Sequence, residues 1–280
     1  MEQRKQFHRG LLENGVLAID GNGVASNADK SNIASCAISR GIADQLLAQS
    51  GERKAGQTSG AGFEQLIEIF IEETFPYLQH IRPGKWKVVR LGNRSTIKTS
   101  AFAQYEHLEY LAELAKENKR LSTIIGNDYM IAPDIVVYRE LYTDEELNEP
   151  FPVVDGRGVK RADLRKANSG KPILHASISA KWTIRSDRAQ NSRTEALNLI
   201  RNRKGNLPHI VVVTGEPLPS RLSSLALGTG DIDCVYHFAL DEMIDAVNDY
   251  GKEDIIDTLN VLLEGKRLKD ISDLPLDLSV

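Results

Sequence analysis

The chain has 280 residues, 41% of them hydrophobic and 26% charged, with a formal net charge of −4, a composition ordinary for a soluble globular protein. Its two cysteines, Cys36 and Cys234, are far apart and form no Cys-x-x-Cys motif, which argues against a disulfide scaffold or a zinc site and suits a reducing cytosol. The N-terminus has no apolar signal core and no apolar run approaches the roughly 18 residues that span a bilayer, so we expect a cytoplasmic protein without a membrane partner.

Helices and strands interleave along the chain when its apolar residues are read for periods of 3.6 and 2. Predicted helices cover residues 2–13, 35–49, 63–80, 103–118, 189–203 and parts of 240–263. Predicted strands cover residues 86–91, 133–141, 172–184, 209–215 and 231–240. We therefore expect an α/β fold, in which a single domain over residues 1–280 has a central mixed β-sheet flanked by helices.

Two segments between and after these elements are less regular. The glycine-rich segment 56–62, GQTSGAG, is predicted to be a loop that opens the 63–80 helix. It lacks the Gly-Lys-Ser/Thr of a phosphate-binding loop, so nucleotide hydrolysis is not expected. The C-terminal segment LKDISDLPLDLSV is predicted to form an ordered arm or a partner contact, with fraying as the alternative.

Positive charge is concentrated in one window although the whole chain is acidic. Between residues 157 and 204, thirteen Lys and Arg face three acids, whereas residues 241–280 contain eleven acids and four bases. A basic face of this kind can bind a polyanion despite a low pI. Taken singly, many of these charges would serve equally well as solvated helix faces. Within the window, RNRKG (201–205) is a candidate for phosphate contacts, or an ordinary helix C-terminus.

The stretch SISAKWTIRSDR (177–188) begins within the predicted strand 172–184, which carries polar residues on one face, and ends in a charged element. Its apolar side chains alternate with Ser177, Ser179 and Lys181, so the lysine stands on the polar face beside a serine. Asp134 starts an earlier strand after Pro133, with 46 residues before Lys181, an interval that suits a crossover returning to the neighbouring position in the sheet. We expect the aspartate and the lysine to lie close together.

A third charged residue, Glu195, follows on the next predicted helix. Two carboxylates can hold Mg²⁺, which prefers oxygen ligands and keeps several waters, and an adjacent lysine can offset charge that develops on a phosphate. Glu64, at the head of the 63–80 helix, could supply a further carboxylate. The alternative is structural: a strand-start aspartate, a lysine reaching solvent and a glutamate on a helix surface.

The pattern Pro133-Asp134, Ser179-x-Lys181 and Glu195 resembles the variant PD-(D/E)xK nuclease site of the CCGG-family type II restriction endonucleases. In that variant the acid two residues before the lysine is replaced, here by Ser179, and a downstream glutamate takes over. The similarity to one member extends nearly end to end, in VASNADKSN, GQTSG, LQHIRPG, HASISAKWTIRSDRAQN, RNRKGNLPHIVVVT, LGTGDIDCVYHFAL and GKRLKDISDLPLDL.

The resemblance implies a restriction-endonuclease-like core over about residues 60–240 and a role for each site residue. Asp134 would bind Mg²⁺, two ions per active site, with the backbone carbonyl of Ala180. Lys181 would lie at the scissile phosphate, supported by Ser179. Two acids would hold the metal through water: Glu64 and Glu195.

Recognition residues follow from the same resemblance. Arg185-Ser-Asp187-Arg188 is similar to the R-x-D-R element that reads the central CCGG. Independently of the resemblance, arginine donates a bidentate hydrogen bond to O6 and N7 of guanine, and aspartate accepts a hydrogen bond from N4 of cytosine. These residue types therefore predict a G·C target. Asp187 could instead cap the following helix, with Gln190 completing a capping box. Four residues match positions that contact the outer base pair: Asp29, Ser31, Gln57 and Arg221.

The resemblance further implies palindromic GCCGGC as the double-stranded DNA substrate, cut after the first G to leave four-nucleotide 5′ overhangs. It implies a homodimer that assembles into a homotetramer, and a cognate methyltransferase in the host that forms no stable complex with the enzyme. The alternatives are a different base pair flanking CCGG, and a catalytically inactive sequence-specific DNA-binding protein.

Overall fold

A six-stranded mixed sheet runs through the protein, with its strands side by side in sequence order. The computed structural model describes residues 2–49, 56–91, 98–118, 120, 123, 133–184, 186–228 and 230–280, and only the backbone of residues 56, 57 and 186–189. Within these ranges the strands are β1 (Trp86–Arg90), β2 (Ile135–Arg139), β3 (Ile173–Lys181), β4 (His209–Thr214), β5 (Cys234–His237) and β6 (Leu268–Asp270).

The type of strand pairing changes once across the sheet, and β2 alone among the six described strands runs opposite to the others. β1, β2 and β3 pair antiparallel, whereas β3, β4, β5 and β6 pair parallel. β4 is buried along almost its whole length, with only His209 partly exposed, as expected for a central parallel strand of β-branched residues. Since the parallel strands share one direction, β3 and β4 end together, with Lys181 opposite Thr214.

Ten helices surround the sheet in the described part of the chain. They are α1 (Glu2–Glu13), α2 (Ile33–Gln45), α3 (Gly56–Glu72), α4 (His107–Glu117), α5 (Asp144–Leu147), α6 (Ser186–Asn202), α7 (Pro219–Ala226), α8 (Leu240–Tyr250), α9 (Glu253–Glu264) and α10 (Leu274–Asp277). No described helix is long and apolar enough to cross a membrane. The structure is a single α/β domain, as predicted from the sequence.

The two faces of β3 contact different helices. On the apolar face, the Trp182 ring that follows β3 lies 4.9 Å from the ring of Phe63 on α3 and 5.3 Å from that of Phe238. On the polar face, the Ser179 hydroxyl lies 3.4 Å from that of Ser192 on α6. The alternation predicted for this strand therefore places α3 and α6 on opposite faces of the sheet.

The chain ends are joined by ion pairs across the sheet edge. Arg4 of α1 donates hydrogen bonds of 2.9 Å to both carboxylate oxygens of Asp270 on β6 and contacts Glu242 of α8 at 2.6 Å. All three side chains are less than one fifth exposed. The C-terminal segment is thus ordered, and it supplies a sixth strand that the sequence did not predict.

Several predicted boundaries were wrong. The segment GQTSGAG is not a loop: α3 begins at Gly56 and ends at Glu72 rather than at residue 80. A Cβ on Gly62 would lie 2.8 Å from a Val16 methyl, so the glycine allows close helix packing, which overrides its low helix propensity. The helix ends before Pro76, which enters a 3₁₀ turn at Phe75–Leu78. The predicted strand 231–240 covers only residues 234–237.

Candidate active site

Asp134 and Lys181 meet at one end of the sheet. Asp134 immediately precedes β2 and Lys181 is the last residue of β3, and the antiparallel register pairs Ile135 with Ile178. The Lys181 ammonium lies 2.7 Å from Oδ2 of Asp134. The same oxygen accepts hydrogen bonds from the backbone N–H of Ala180 at 2.8 Å and, at 3.4 Å, from the Ser179 hydroxyl. Both charged side chains remain about one fifth exposed, so DNA could reach them.

Two further carboxylates approach this pair from opposite faces of the sheet. The pKa of Glu195 on α6 is raised to about 7, because burial outweighs the lowering effect of Lys181 and Asp134 adds to the rise. Burial likewise raises the pKa of Glu64 on α3, and the same two residues act on it. Asp134 and Lys181 thus act electrostatically on both glutamates. The four acidic and basic residues predicted for the catalytic site therefore lie in one neighbourhood, in which Asp134 and Lys181 are in direct contact.

The donor set at this point fits a hydrated magnesium ion. Oδ2 of Asp134 is occupied by Lys181 and Ala180, while Oδ1 makes no hydrogen bond to any described residue. In the described ranges no three His, Cys, Asp or Glu side chains are close enough to hold a metal directly. Mg²⁺ typically takes one or two carboxylates and keeps several waters, so one direct side-chain ligand with more distant carboxylates is compatible with it.

Arg90 also belongs to this neighbourhood, although the sequence did not single it out. It ends β1, lies 3.6 Å from Glu68 and donates a 3.2 Å hydrogen bond to the carbonyl of Ala61. Its charge lowers the pKa of Glu64 against the effect of burial. The sequence feature that could have identified Arg90 is a basic residue at the end of the predicted strand 86–91, which precedes the strand of Asp134.

Sequence comparison identifies the family to which this site belongs. The family described as "NgoMIV restriction enzyme" matches residues 7–280. The type II restriction enzyme NgoMIV of Neisseria gonorrhoeae is 53% identical over 280 residues, covering 100% of this chain and 98% of the relative. The chain belongs to the NgoMIV restriction enzyme family. It is a type II restriction endonuclease, a site-specific deoxyribonuclease.

Solved structures of other restriction endonucleases are more distant. The Bse634I complex with cognate DNA is 15% identical, with a TM-score of 0.36, over 98% of this chain and 92% of that one. The pre-specific BsaWI–DNA complex is 12% identical, with a TM-score of 0.32, over 79% of this chain and 60% of that one.

The residues predicted to read DNA in this NgoMIV-family chain are only partly described. Arg185 lies outside the described residues, and the side chains of Gln57, Asp187 and Arg188 lie outside the described side chains. What the structure gives is their position: α6 begins at Ser186, directly after the strand that carries Lys181. The segment that would read the inner base pairs therefore starts a few residues from Lys181.

The other three recognition candidates form one cluster. The Arg221 guanidinium on α7 contacts the Asp29 carboxylate in an ion pair. Asp29 also accepts hydrogen bonds from the Ser31 hydroxyl at 2.7 Å and from its N–H at 3.1 Å. Arg221 and Ser31 hold the pKa of Asp29 well below its usual value. Residues almost 200 positions apart are thus adjacent, in a G·C-compatible combination of one arginine and one carboxylate.

Arg221 also connects this cluster to the end of β3. Its Nη1 donates a 3.3 Å hydrogen bond to the carbonyl of Ile184 and lies 3.6 Å from Glu216. Glu216 was not predicted from the sequence. It follows the predicted strand HIVVVTG directly, and a carboxylate at the end of a buried parallel strand was the signal that could have drawn attention to it.

RNRKG lies at the C-terminal end of α6, beyond Glu195 on the same helix. The backbone of Lys204 donates to the carbonyl of Gln104, whose side chain in turn donates to Leu174 near the start of β3. The backbone of Lys204 therefore lies near the start of β3, at the opposite end of this strand from Lys181.

A cavity of about 650 Å³ lies at that same far end, lined among others by Trp86, Arg139, His175 and His209. It is well separated from Lys181, because His175 and Lys181 are six residues apart on one extended strand. The cluster of Asp134 and Lys181 instead lies at a partly exposed sheet end, as expected of a candidate site for a double-stranded DNA substrate.

Proposed function

We propose that this enzyme cleaves palindromic GCCGGC duplexes in a Mg²⁺-dependent reaction, after the first G, leaving four-nucleotide 5′ overhangs. The observation that carries the proposal is the Lys181–Asp134 contact of 2.7 Å, with Glu64 and Glu195 interacting electrostatically with the same pair. Its support in sequence is the 53% identity to NgoMIV over the full length. Recognition of a G·C-only site follows from the arginine and aspartate residues available to read it.

In this proposal the residues at the sheet end bind either the metal or the scissile phosphate. Asp134 holds Lys181 by an ion pair, and its Oδ1 with the Ala180 carbonyl would hold Mg²⁺. The Lys181 ammonium has three donors, so it can bind a scissile-phosphate oxygen while it keeps Asp134. Bound Mg²⁺ would supply charge neutralisation at the phosphate and acidify water. Glu195 and Glu64 would hold water molecules that are bound to the metal. Each site would take two Mg²⁺ ions.

The assembly follows from symmetry. One catalytic cluster per chain can cut one strand, so cleavage of both strands of a palindrome requires two copies. A two-fold dimer satisfies this, because its symmetry matches that of the DNA site. We propose that two such dimers associate as a tetramer that binds two DNA copies, with the acidic residues from Asp241 onward away from the DNA.

A metal-titrated cleavage assay on plasmids with GCCGGC, ACCGGT or neither sequence tests the proposal. Mg²⁺ should support cutting of the GCCGGC plasmid alone, and end-sequencing should show the 5′ overhang. Cutting of both the GCCGGC and the ACCGGT plasmid would show that the enzyme does not require G·C as the outer base pair. Binding without cutting in any metal would favour an inactive DNA-binding protein.

Two substitutions test the site itself. Asp134→Asn and Lys181→Ala should each abolish cleavage while specific binding persists, because recognition uses other side chains. Lys269→Ala is the matched control, since Lys269 forms a 2.6 Å pair with Asp277, each side chain about one third exposed, near the C-terminus. Full activity of either site variant would refute the assignment.

A further inference from the structure

Glu216 is a buried carboxylate to which the proposed mechanism gives no task. It lies two residues beyond β4 and is fully buried. Its Oε2 accepts a 2.9 Å hydrogen bond from the N–H of Ile184, and its Oε1 accepts a 3.2 Å bond from the N–H of Leu218. Leu218 is the N-cap residue of α7, the helix of Arg221. One side chain thus contacts the backbone of both segments that carry recognition candidates.

Arg221 completes the attachment of Ile184. The Glu216 carboxylate binds the N–H of Ile184 and the Arg221 guanidinium binds its carbonyl at 3.3 Å, while the two side chains lie 3.6 Å apart. Both backbone groups of the residue before Arg185 are therefore fixed by one ion pair. A buried carboxylate is retained at a cost unless hydrogen bonds and a cation compensate it, and here both are present.

The loop that carries Glu216 is itself anchored to the N-terminal region. The Asn27 side chain, which is buried, donates a 2.7 Å hydrogen bond to the carbonyl of Gly215 and accepts a 2.5 Å bond from the Ser39 hydroxyl. Asn27 is two residues from Asp29, the partner of Arg221. The carboxylate of Glu216 is thereby held in a fixed position relative to both recognition segments.

We propose that Glu216 is a positioning residue for DNA specificity, which couples reading of the inner base pairs by residues 185–188 to reading of the outer pair by Arg221 and Asp29. The inference rests on the proposed function. Glu216 acts through Arg221 and the backbone of Ile184 and makes no DNA contact. Its loss should therefore reduce discrimination at both base pairs at once, which loss of a single base-reading side chain would not do.

Glu216→Gln tests this, because glutamine keeps the shape and removes the charge. Kd is measured in Ca²⁺ for GCCGGC and for duplexes changed at the inner or the outer pair. We expect the ratio of changed to cognate Kd to fall at least about tenfold at both pairs. Asp270→Asn is the matched control: this buried carboxylate also binds an arginine and the N–H groups of Leu240 and Ser272, away from the recognition segments, and should leave both ratios unchanged.

Arg221→Ala separates the effect of Glu216 through Arg221 from its effect through the backbone of Ile184. Alone, it should lower discrimination mainly at the outer pair. Glu216→Gln added to it should cause no further loss there but a further loss at the inner pair, a non-additivity that a general loss of stability would not produce. If Glu216→Gln fails to fold, Asn27→Ala, which loosens the same loop, should give the same two-pair loss in weaker form.

The outcomes are distinguishable. A wild-type protein that binds all duplexes equally would overturn the proposed function and this inference with it. A discriminating wild type with unchanged ratios in Glu216→Gln, or in Asn27→Ala where the glutamine variant does not fold, would overturn the role of Glu216 alone. An Asp270→Asn variant that loses as much discrimination as Glu216→Gln would also overturn this role. The loss would then not depend on a carboxylate placed between the recognition segments.

Discussion

Replacing Glu195 with glutamine should stabilise the metal-free protein at alkaline pH, although it should destroy catalysis. The wild-type carboxyl has its pKa raised from 4.5 to about 7, chiefly by burial. The folded protein therefore binds the proton more tightly than the unfolded chain, so ionisation of Glu195 opposes folding. That penalty is absent below about pH 4.5, grows between pH 4.5 and 7, and is complete above pH 7.

The size of the effect follows from the shift. At about 1.4 kcal/mol per unit, a rise from 4.5 to about 7 sets a ceiling of about 3 kcal/mol. Glu195 is partly exposed and water screens some of the effect, so we expect glutamine to add about 1–2 kcal/mol to the free energy of unfolding at pH 8. At pH 4 the gain should shrink to a few tenths of a kcal/mol.

Urea denaturation in EDTA at pH 4 and pH 8 measures the gain. Adding Mg²⁺ at pH 8 should reduce the stability difference between Glu195→Gln and the wild type, because an ion bound near Glu195 would stabilise the wild type more than the variant. Asp270→Asn is an opposite-sign control, since Arg4 and backbone N–H groups hold the pKa of Asp270 below its usual value despite burial, and it should lose stability at pH 8. A Glu195→Gln protein less stable than the wild type at pH 8 in EDTA would refute the reasoning.

Three other predictions follow. Arg188→Ala should cost about 1–3 kcal/mol of discrimination at one inner base pair; an unchanged ratio of specific to random Kd would contradict its role in reading. Burial lowers the pKa of His175 and of His237 to about 4, so in NMR titrations both imidazoles should stay neutral from pH 7 down to about 5; protonation of either near pH 6.5 would contradict the burial. Light scattering should give a tetramer, and a two-site plasmid should be cut faster than a one-site plasmid; indifference to site number, with a monomeric mass, would contradict the assembly.

Much of the fold could be predicted because its signals are local. β4 and the core of β3 are short apolar runs between turn residues, and their type was correct. The position of Asp134 beside Lys181 could also be predicted, because period-two alternation put the lysine on the polar face and the 46-residue interval allowed the return of the chain. What this pattern could not give was distance, which depends on the register of β2 against β3.

The rest depended on tertiary contacts. GQTSGAG looked like a loop because glycine and serine disfavour helix, yet Gly62 packs against Val16 within α3. β6 is a strand of three residues, too short for alternation to show, and it exists because β5 offers it an edge. Glu216 could not be found for the same reason: its significance lies in Ile184 and Arg221, and no spacing in the sequence links the three.

The ion pair between Arg4 and Asp270 has a consequence for synthesis of the protein. Its partners are 266 residues apart, and at about 5–20 residues per second the ribosome needs roughly 13–50 s to pass from one to the other. Late in that interval, once residues 234–237 have emerged, β5 is the outer edge of the growing sheet and exposes backbone groups that β6 later pairs. Translation of β6 therefore determines when α1 reaches its final place, and the nascent chain is most open to wrong strand pairing just before residues 268–270 emerge.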